Sequence, residues 1–172
     1  MTLLAWGFKS LYPHQKGKLM KLTVLVVLLL IAGATGAKSG ACNFDSQVHA
    51  LALNMYHEAR NQGIQGMQLV GEVTLNRVRL QAFPDTICGV VYQPRQFSWT
   101  HLIKDKTPHE KHSWLMAKLL AWHLLEGSIP LYNYGATHYY NPQLMKRTPR
   151  WAKQYERVGQ WKNHIFLRMN DL

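Results

Sequence analysis

Val48, Leu51, Ala52, Met55, Tyr56 and Ala59 recur at the spacing of one face of an α-helix. No other stretch restricts the chain as much. The pattern predicts a short amphipathic helix whose apolar stripe is buried, with Asp45 or Ser46 as its cap and Gly63 and Gly66 turning the chain after it. Glu58 lies about 80° from the middle of the stripe at the ordinary helical rotation. That places a carboxylate at the edge of the core, neither inside it nor on the far face.

The rest of the chain supplies partners for this helix. A second helix is expected over 67–80, with Met67, Val70, Gly71, Thr74 and Val78 on one face, stopped at Phe83-Pro84-Asp85. Residues 87–92 read as a short strand or an irregular buried segment, and 93–99 as a loop carrying aromatics. Thr107, Pro108 and Glu110 form the signature of a capping box. The segment 114–125 that follows is apolar nearly all round and closes at Gly127, so it is expected to be the central buried helix. Two short strands are expected at 136–140 and 163–168, joined irregularly through Pro142, Pro149 and Trp151.

The N-terminus is different in kind. Residues 1–37 hold Lys9, Lys16, Lys18 and Lys21 and no acid, then an apolar run at 22–31, then small residues up to Ala37. This order of basic, apolar and small residues describes a signal peptide or signal anchor. Met20-Lys21 is a more typical signal start than Met1, so 1–19 read as an over-long start. Residues 38–172 are then one domain, whose membrane contact is only through the leader. Cys42 and Cys88 make an even pair, which in an exported chain is most simply a disulfide.

Charge narrows the partners. The chain carries 20 Lys+Arg against 9 Asp+Glu; without the four leader lysines the balance is 16 against 9. A basic surface suits an anionic polymer. No basic run and no nucleic-acid motif appears, so nucleic acid is not the expected partner.

The acids can be taken one by one. Asp45 and Glu110 are at helix starts, Glu126 is at a helix end, Asp105 and Asp171 are in a loop and the tail, and Glu156 lies between Lys153 and Arg157 as a surface ion pair. Glu72 falls mid-helix away from the apolar stripe. Glu58 remains and, less clearly, Asp85. Glu58 sits near a helix C-terminus and against apolar surface, and both raise a carboxyl pKa toward the range of a general acid. A plain ion pair of Glu58 with Arg60 or Arg77 is the competing reading. Metal chemistry has weaker support: His57-Glu58 begins an H-E-x-x-H helix, but Asn61 stands where the second His is required. Scattered histidines (His57, His101, His138, His164) are the residues a zinc amidase would have to assemble, and Cys88 the nucleophile of a thiol enzyme.

Tyr56-His57-Glu58-Ala59-Arg60, Gly66-Met67, Val73, Leu75-Asn76-Arg77-Val78, Phe83-Pro84, Val90-Val91-Tyr92-Gln93, Gln96-Phe97-Ser98, Gly135-Ala136-Thr137-His138-Tyr139, Trp151, and His164 with Phe166 occur in this order. The ordered set resembles the SleB-like cell wall hydrolases over roughly 46–168. The resemblance implies an α+β, predominantly helical, lysozyme-like domain related to resuscitation-promoting factors, with a small β element. It implies action on peptidoglycan glycan strands without a cofactor or metal, and Glu58 as the catalytic residue. Asn61-Gln62 and Leu167 depart from the family's usual residues. A lone Glu fits lytic transglycosylation of the bond between N-acetylmuramic acid and N-acetylglucosamine; hydrolysis would want a second carboxylate, for which Asp85 is the candidate. Gln96, Ser98, His138 and Tyr139 are expected to line the glycan groove, Phe97, Tyr140 and Trp151 to be core, and Asn76-Arg77 to brace the Glu58 helix. The protein is expected to act as a monomer. An amidase or peptidase on the same polymer, and a non-catalytic wall-binding module, are the alternatives.

Overall fold

Helix α1 (Phe44–Ala59) is the hub. Residues 50–56, nearly two full turns, are buried all round it, and Ala59 is buried as well. The computed structural model describes residues 42–132 and 134–170; the leader expected over 1–37 lies outside the described residues. The cap of α1 is Asn43, whose side chain accepts from Ser46 N at 2.8 Å, not Asp45 or Ser46. The helix starts directly after Asn43, so Asp45 and Ser46 are already inside its first turn.

A single 3₁₀ turn (Arg60–Gln62) follows, and Gly63, at φ +78°, admits the sharp re-entry into α2 (Gly63–Val78). Gly66 lies inside α2 and does not turn the chain. Where α1 and α2 meet, a Cβ on Gly71 would stand 2.6 Å from Met55 Sδ and 2.7 Å from Leu124 Cδ1, so a larger residue there would displace both side-chain ends. A polar core registers the helices: Asn54 Nδ2 donates to Thr74 Oγ1 at 3.2 Å, and Trp99 Nε1 donates to Asn54 Oδ1 at 2.9 Å. Glu72 corrects an expectation. It is fully buried, accepting from Gln68 Nε2 at 2.9 Å and from Tyr132 N at 2.8 Å, so it pins the 130–132 segment to α2.

Residues 87–92 are not a strand but a one-turn helix, α3 (Ile87–Val91), capped by Thr86, which accepts from Gly89 N at 3.1 Å. Cys88 on α3 is disulfide-bonded to Cys42, with Cα atoms 6.1 Å apart. A second short helix, α4 (Trp99–Leu102), follows the 93–98 loop. Helix α5 (Lys111–Glu126) starts later than the capping-box pattern predicts. Glu110 is its cap position, and the Glu110 carboxylate takes Arg60 Nε at 2.7 Å and Ser113 Oγ at 3.2 Å instead of closing a box with Thr107.

Nor is α5 the central helix. Only Ala117, Ala121 and Leu124 on it are buried, while Leu115, Leu119 and Trp122 are nearly half exposed. α1, buried all round over residues 50–56, takes α2, α3 and α5 against it from several sides, whereas α5 packs by the one face that carries Ala117, Ala121 and Leu124. Gly127 ends α5 in the left-handed conformation, as expected (φ +70°).

Strands β1 (His138–Tyr140), β2 (Glu156–Trp161) and β3 (His164–Arg168) form an antiparallel sheet in the order β1-β3-β2. β1 and β3 are the expected strands; β2 is an addition within the connection read as irregular. Tyr139 pairs with Phe166, which pairs with Gly159 beyond it. Register also places Glu156 opposite Arg168, and these two form the ion pair, not Glu156 with Lys153 or Arg157. Phe166 seats the sheet on α2 through Val73 and Ala136.

Candidate active site

The C-terminal turn of α1 meets β1 in register with a polar bond. Tyr139 Oη donates to Glu58 Oε2 at 3.0 Å. Around this pair opens a cleft of about 530 Å³, walled on one side by the loop before α4 (Arg95, Gln96, Phe97, Ser98) and His101. The other side is built by His138, Tyr139, Trp151 and Tyr155. Among the described residues Glu58 is the only carboxylate lining it.

Arg77 holds the cleft floor. Its Nε donates to Thr137 O at 2.7 Å, its guanidinium lies over the rings of Phe83 (5.3 Å) and Phe97 (5.4 Å), and the oxygen of the Gln96 amide accepts from both terminal nitrogens at 2.9 and 3.2 Å. The side chain is 2% exposed. A fixed, buried positive charge therefore faces Glu58 without bonding to it.

Electrostatics follow from this packing. Burial raises the pKa of Glu58, and the Tyr139 bond and Arg77 only partly oppose that rise. Tyr139 is held well above its ordinary value, by burial first and then by Glu58, so it stays a phenol and remains a donor. Burial, with Arg77 adding to it, depresses His138 to about 4. Near neutrality His138 is therefore an uncharged ring, bonded through Nδ1 to Thr137 Oγ1 at 2.9 Å and stacked on Tyr155 at 4.5 Å.

A profile of the cell wall hydrolase family matches residues 61–167. The chain belongs to the cell wall hydrolase family. The spore cortex-lytic enzyme of Halalkalibacterium halodurans is 33% identical to it over 141 residues, covering 79% of this chain and 38% of that protein. The spore cortex-lytic enzyme of Bacillus cereus is 31% identical over 139 residues, covering 78% and 48%. The chain thus spans less than half the length of these curated relatives. Among solved structures, the catalytic domain of the B. cereus SleB protein superposes with a TM-score of 0.59 at 28% identity, covering 72% of this chain and 91% of that one. The catalytic domain of the germination-specific lytic transglycosylase SleB from Bacillus anthracis does so with 0.57 at 27%, covering 71% and 93%. The SleB-like α+β fold expected from the ordered motifs is the fold of this cell wall hydrolase family member. Glu58 lies just before the segment that the family profile matches.

All the groove residues expected from sequence, Gln96, Ser98, His138 and Tyr139, line the cleft with Glu58. Two of them are committed to neighbours: Gln96 to Arg77, and Tyr139 to Glu58. The ion pairs weighed for Glu58 do not form, since Arg60 goes to Glu110 and Arg77 to Thr137 and Gln96. Asp85 is exposed in the turn before α3 and does not line the cleft. Cys88 is in a disulfide and has no thiol to offer. Among the described residues no three His, Cys, Asp or Glu converge as a metal cage requires.

Trp151 corrects another expectation. It is 37% exposed and forms part of the cleft wall, with Tyr140 packed edge-on against it at 6.0 Å. Phe97 is core, as expected, at 3% exposure. Arg95 and Tyr155 are additions to the expected groove, and His101, weighed only as one of the scattered histidines of a zinc site, joins them. The signal for Tyr155 is an aromatic four residues from Trp151; Arg95 directly precedes Gln96-Phe97-Ser98, and His101 lies one helical turn past Ser98 on α4.

Proposed function

We propose that this protein cleaves peptidoglycan glycan strands between N-acetylmuramic acid and N-acetylglucosamine as a lytic transglycosylase, with Glu58 as both acid and base. The observation that carries this is the carboxylate: among the described residues Glu58 is the one acid lining the cleft, and burial raises its pKa. The name of the Bacillus anthracis neighbour, a lytic transglycosylase, supports the same reaction class.

In this reaction the protonated Glu58 gives its proton to the glycosidic oxygen as the bond from the muramic acid C1 to that oxygen breaks. The muramic acid's own C6 hydroxyl oxygen then bonds to C1, and its proton returns to Glu58. No water is consumed and no second carboxylate is needed, whereas hydrolysis in either stereochemical course uses a pair. Tyr139 and Arg77 act while Glu58 is ionised: one donates a hydrogen bond, the other supplies a fixed positive charge, and both limit the cost of an anion in a partly buried site. His138 and Tyr155, with Trp151, offer uncharged ring faces on which a sugar can stack.

Sacculi incubated with the protein should release fragments ending in 1,6-anhydro-muramic acid, read by mass spectrometry. Glu58→Gln should lower the release at least 10³-fold, within the range that positioned acid–base catalysis supplies. Reducing ends would replace transglycosylation by hydrolysis, and free stem peptides would replace glycan cleavage altogether. The basic, apolar and small-residue order of 1–37 supports a site of action outside the cytoplasmic membrane; detection of the protein only in the cytoplasm would refute that.

A further inference from the structure

Arg95 stands in a place where its residue type is disfavoured. Gln96 N donates to Gln93 O at 3.1 Å, closing a turn over Gln93, Pro94, Arg95 and Gln96. Pro94 occupies the second position, and Arg95 the third with φ +64°. A proline-initiated turn with a left-handed third residue calls for Gly or Asn there, because a Cβ is strained in that conformation. The turn itself is not negotiable: the next two residues anchor it, Gln96 on Arg77 and Phe97 in the core. The chain accepts strain at Arg95, and strain of this kind points to a role for the side chain.

That role is not structural. Arg95 is exposed, lines the mouth of the Glu58 cleft, and makes no ion pair or side-chain hydrogen bond among the described residues. Glu58, the one acid among the described lining residues, has Arg77 and not Arg95 as its electrostatic neighbour. A guanidinium left unpaired at a cleft mouth is a fork that matches a carboxylate.

Resting on the glycan-cleaving reading above, we infer that Arg95 is a specificity residue that binds a carboxylate borne by the muramic acid of the substrate. Two sources share that chemistry: the carboxylates of an attached stem peptide, and the lactyl carboxylate left on muramic acid when the peptide is removed.

The test compares the wild type with Arg95→Gly on sacculi, on sacculi stripped of stem peptides by an amidase, and on sacculi whose carboxyls have been amidated. Arg95→Gly should raise KM on intact sacculi about tenfold, the worth of one charge-assisted hydrogen bond, with a smaller loss in kcat. It should also raise Tm, because glycine relieves the turn, an outcome a merely structural arginine would not give. The KM difference should vanish on amidated sacculi. Its persistence on stripped sacculi identifies the lactyl carboxylate; its loss there identifies the stem peptide. Arg79→Ala, which removes the same charge from outside the cleft, should leave KM unaltered. An unchanged KM for Arg95→Gly, or a penalty that survives amidation, overturns the inference. Should the wild type release no glycan fragments, the reaction assignment fails instead. Co-sedimentation of wild type and Arg95→Gly with intact and amidated sacculi, which needs no turnover, then decides Arg95 by the same pattern.

Discussion

Glu58 is a carboxylate under opposed influences, and the balance can be tested one residue at a time. Burial pushes its pKa up; Tyr139 and Arg77 pull it down. Tyr139→Phe removes a bond that favours the ionised form, so the pKa should rise further. The alkaline limb of the pH–kcat profile, where the acid is lost, should move to higher pH. The rate at the optimum should fall roughly tenfold, in line with a hydrogen bond to a charged group. The stability consequence has a definite sign. A carboxyl whose folded pKa exceeds its unfolded one favours the folded state below the unfolded value, and that contribution is lost as pH rises through the folded one. Glu58→Gln should therefore melt at or above the wild-type temperature at pH 7, and the gain should disappear below about pH 4, where Glu58 is protonated in both states. Calorimetry at the two pH values checks this.

At the scale of elements, the disulfide holds a helix too short to hold itself. α3 (Ile87–Val91) has a single turn, far below the length at which an isolated helix is stable. It buries Ile87, Val90 and Val91 against α1, and it launches the 93–98 loop that carries the cleft wall. Cys42–Cys88 closes a loop with a sequence separation of 46, which stabilises by about 4 kcal/mol in the chain-entropy model. Replacing both cysteines by serine should lower unfolding free energy by roughly 2–4 kcal/mol in urea melts, with activity at low temperature retained if the remaining packing still seats α3. Glu72 shows the same logic on the far side of α2. One buried carboxylate, taken by Gln68 and the Tyr132 amide, ties down a segment that has no regular structure of its own.

For the whole molecule, histidines set the response to acid. Burial lowers the pKa values of His57, His138 and His164, with Arg77 adding to the effect at His138. The unfolded chain binds these protons first as pH falls below about 6.5. Stability supplied by the neutral rings is full above that value and is lost toward the folded values, about 4 for His138. Glu58 acts in the other direction, and the large depression of His138 sets the expected slope. Tm should therefore fall steadily from pH 7 to pH 4.5; a flat profile would contradict the burial of these rings.

Local pattern was enough for much of this protein. The stripe on α1, the stop at Gly127, strands β1 and β3, the cysteine pair and the position of Glu58 were all legible, because each depends on periodicity, chain conformation or residue chemistry within a short window. The ordered motifs carried the family. Tertiary structure decided what depends on distant partners. Strand β2 carries Glu156 and Arg157 and buries no residue fully, and it exists because β3 offers a free edge. Glu72 is buried because Gln68 and a backbone amide from the 130–132 segment satisfy it. α5 lies half outside because α1, buried all round over residues 50–56, takes the centre and α5 packs on it by one face. Trp151 left the core for the cleft, and Arg95 reached its mouth, only because the sheet and the 93–98 loop fold toward the same end of α1. Periodicity placed the carboxylate at the core's edge; the partner that holds it, Tyr139, arrives from 81 residues away.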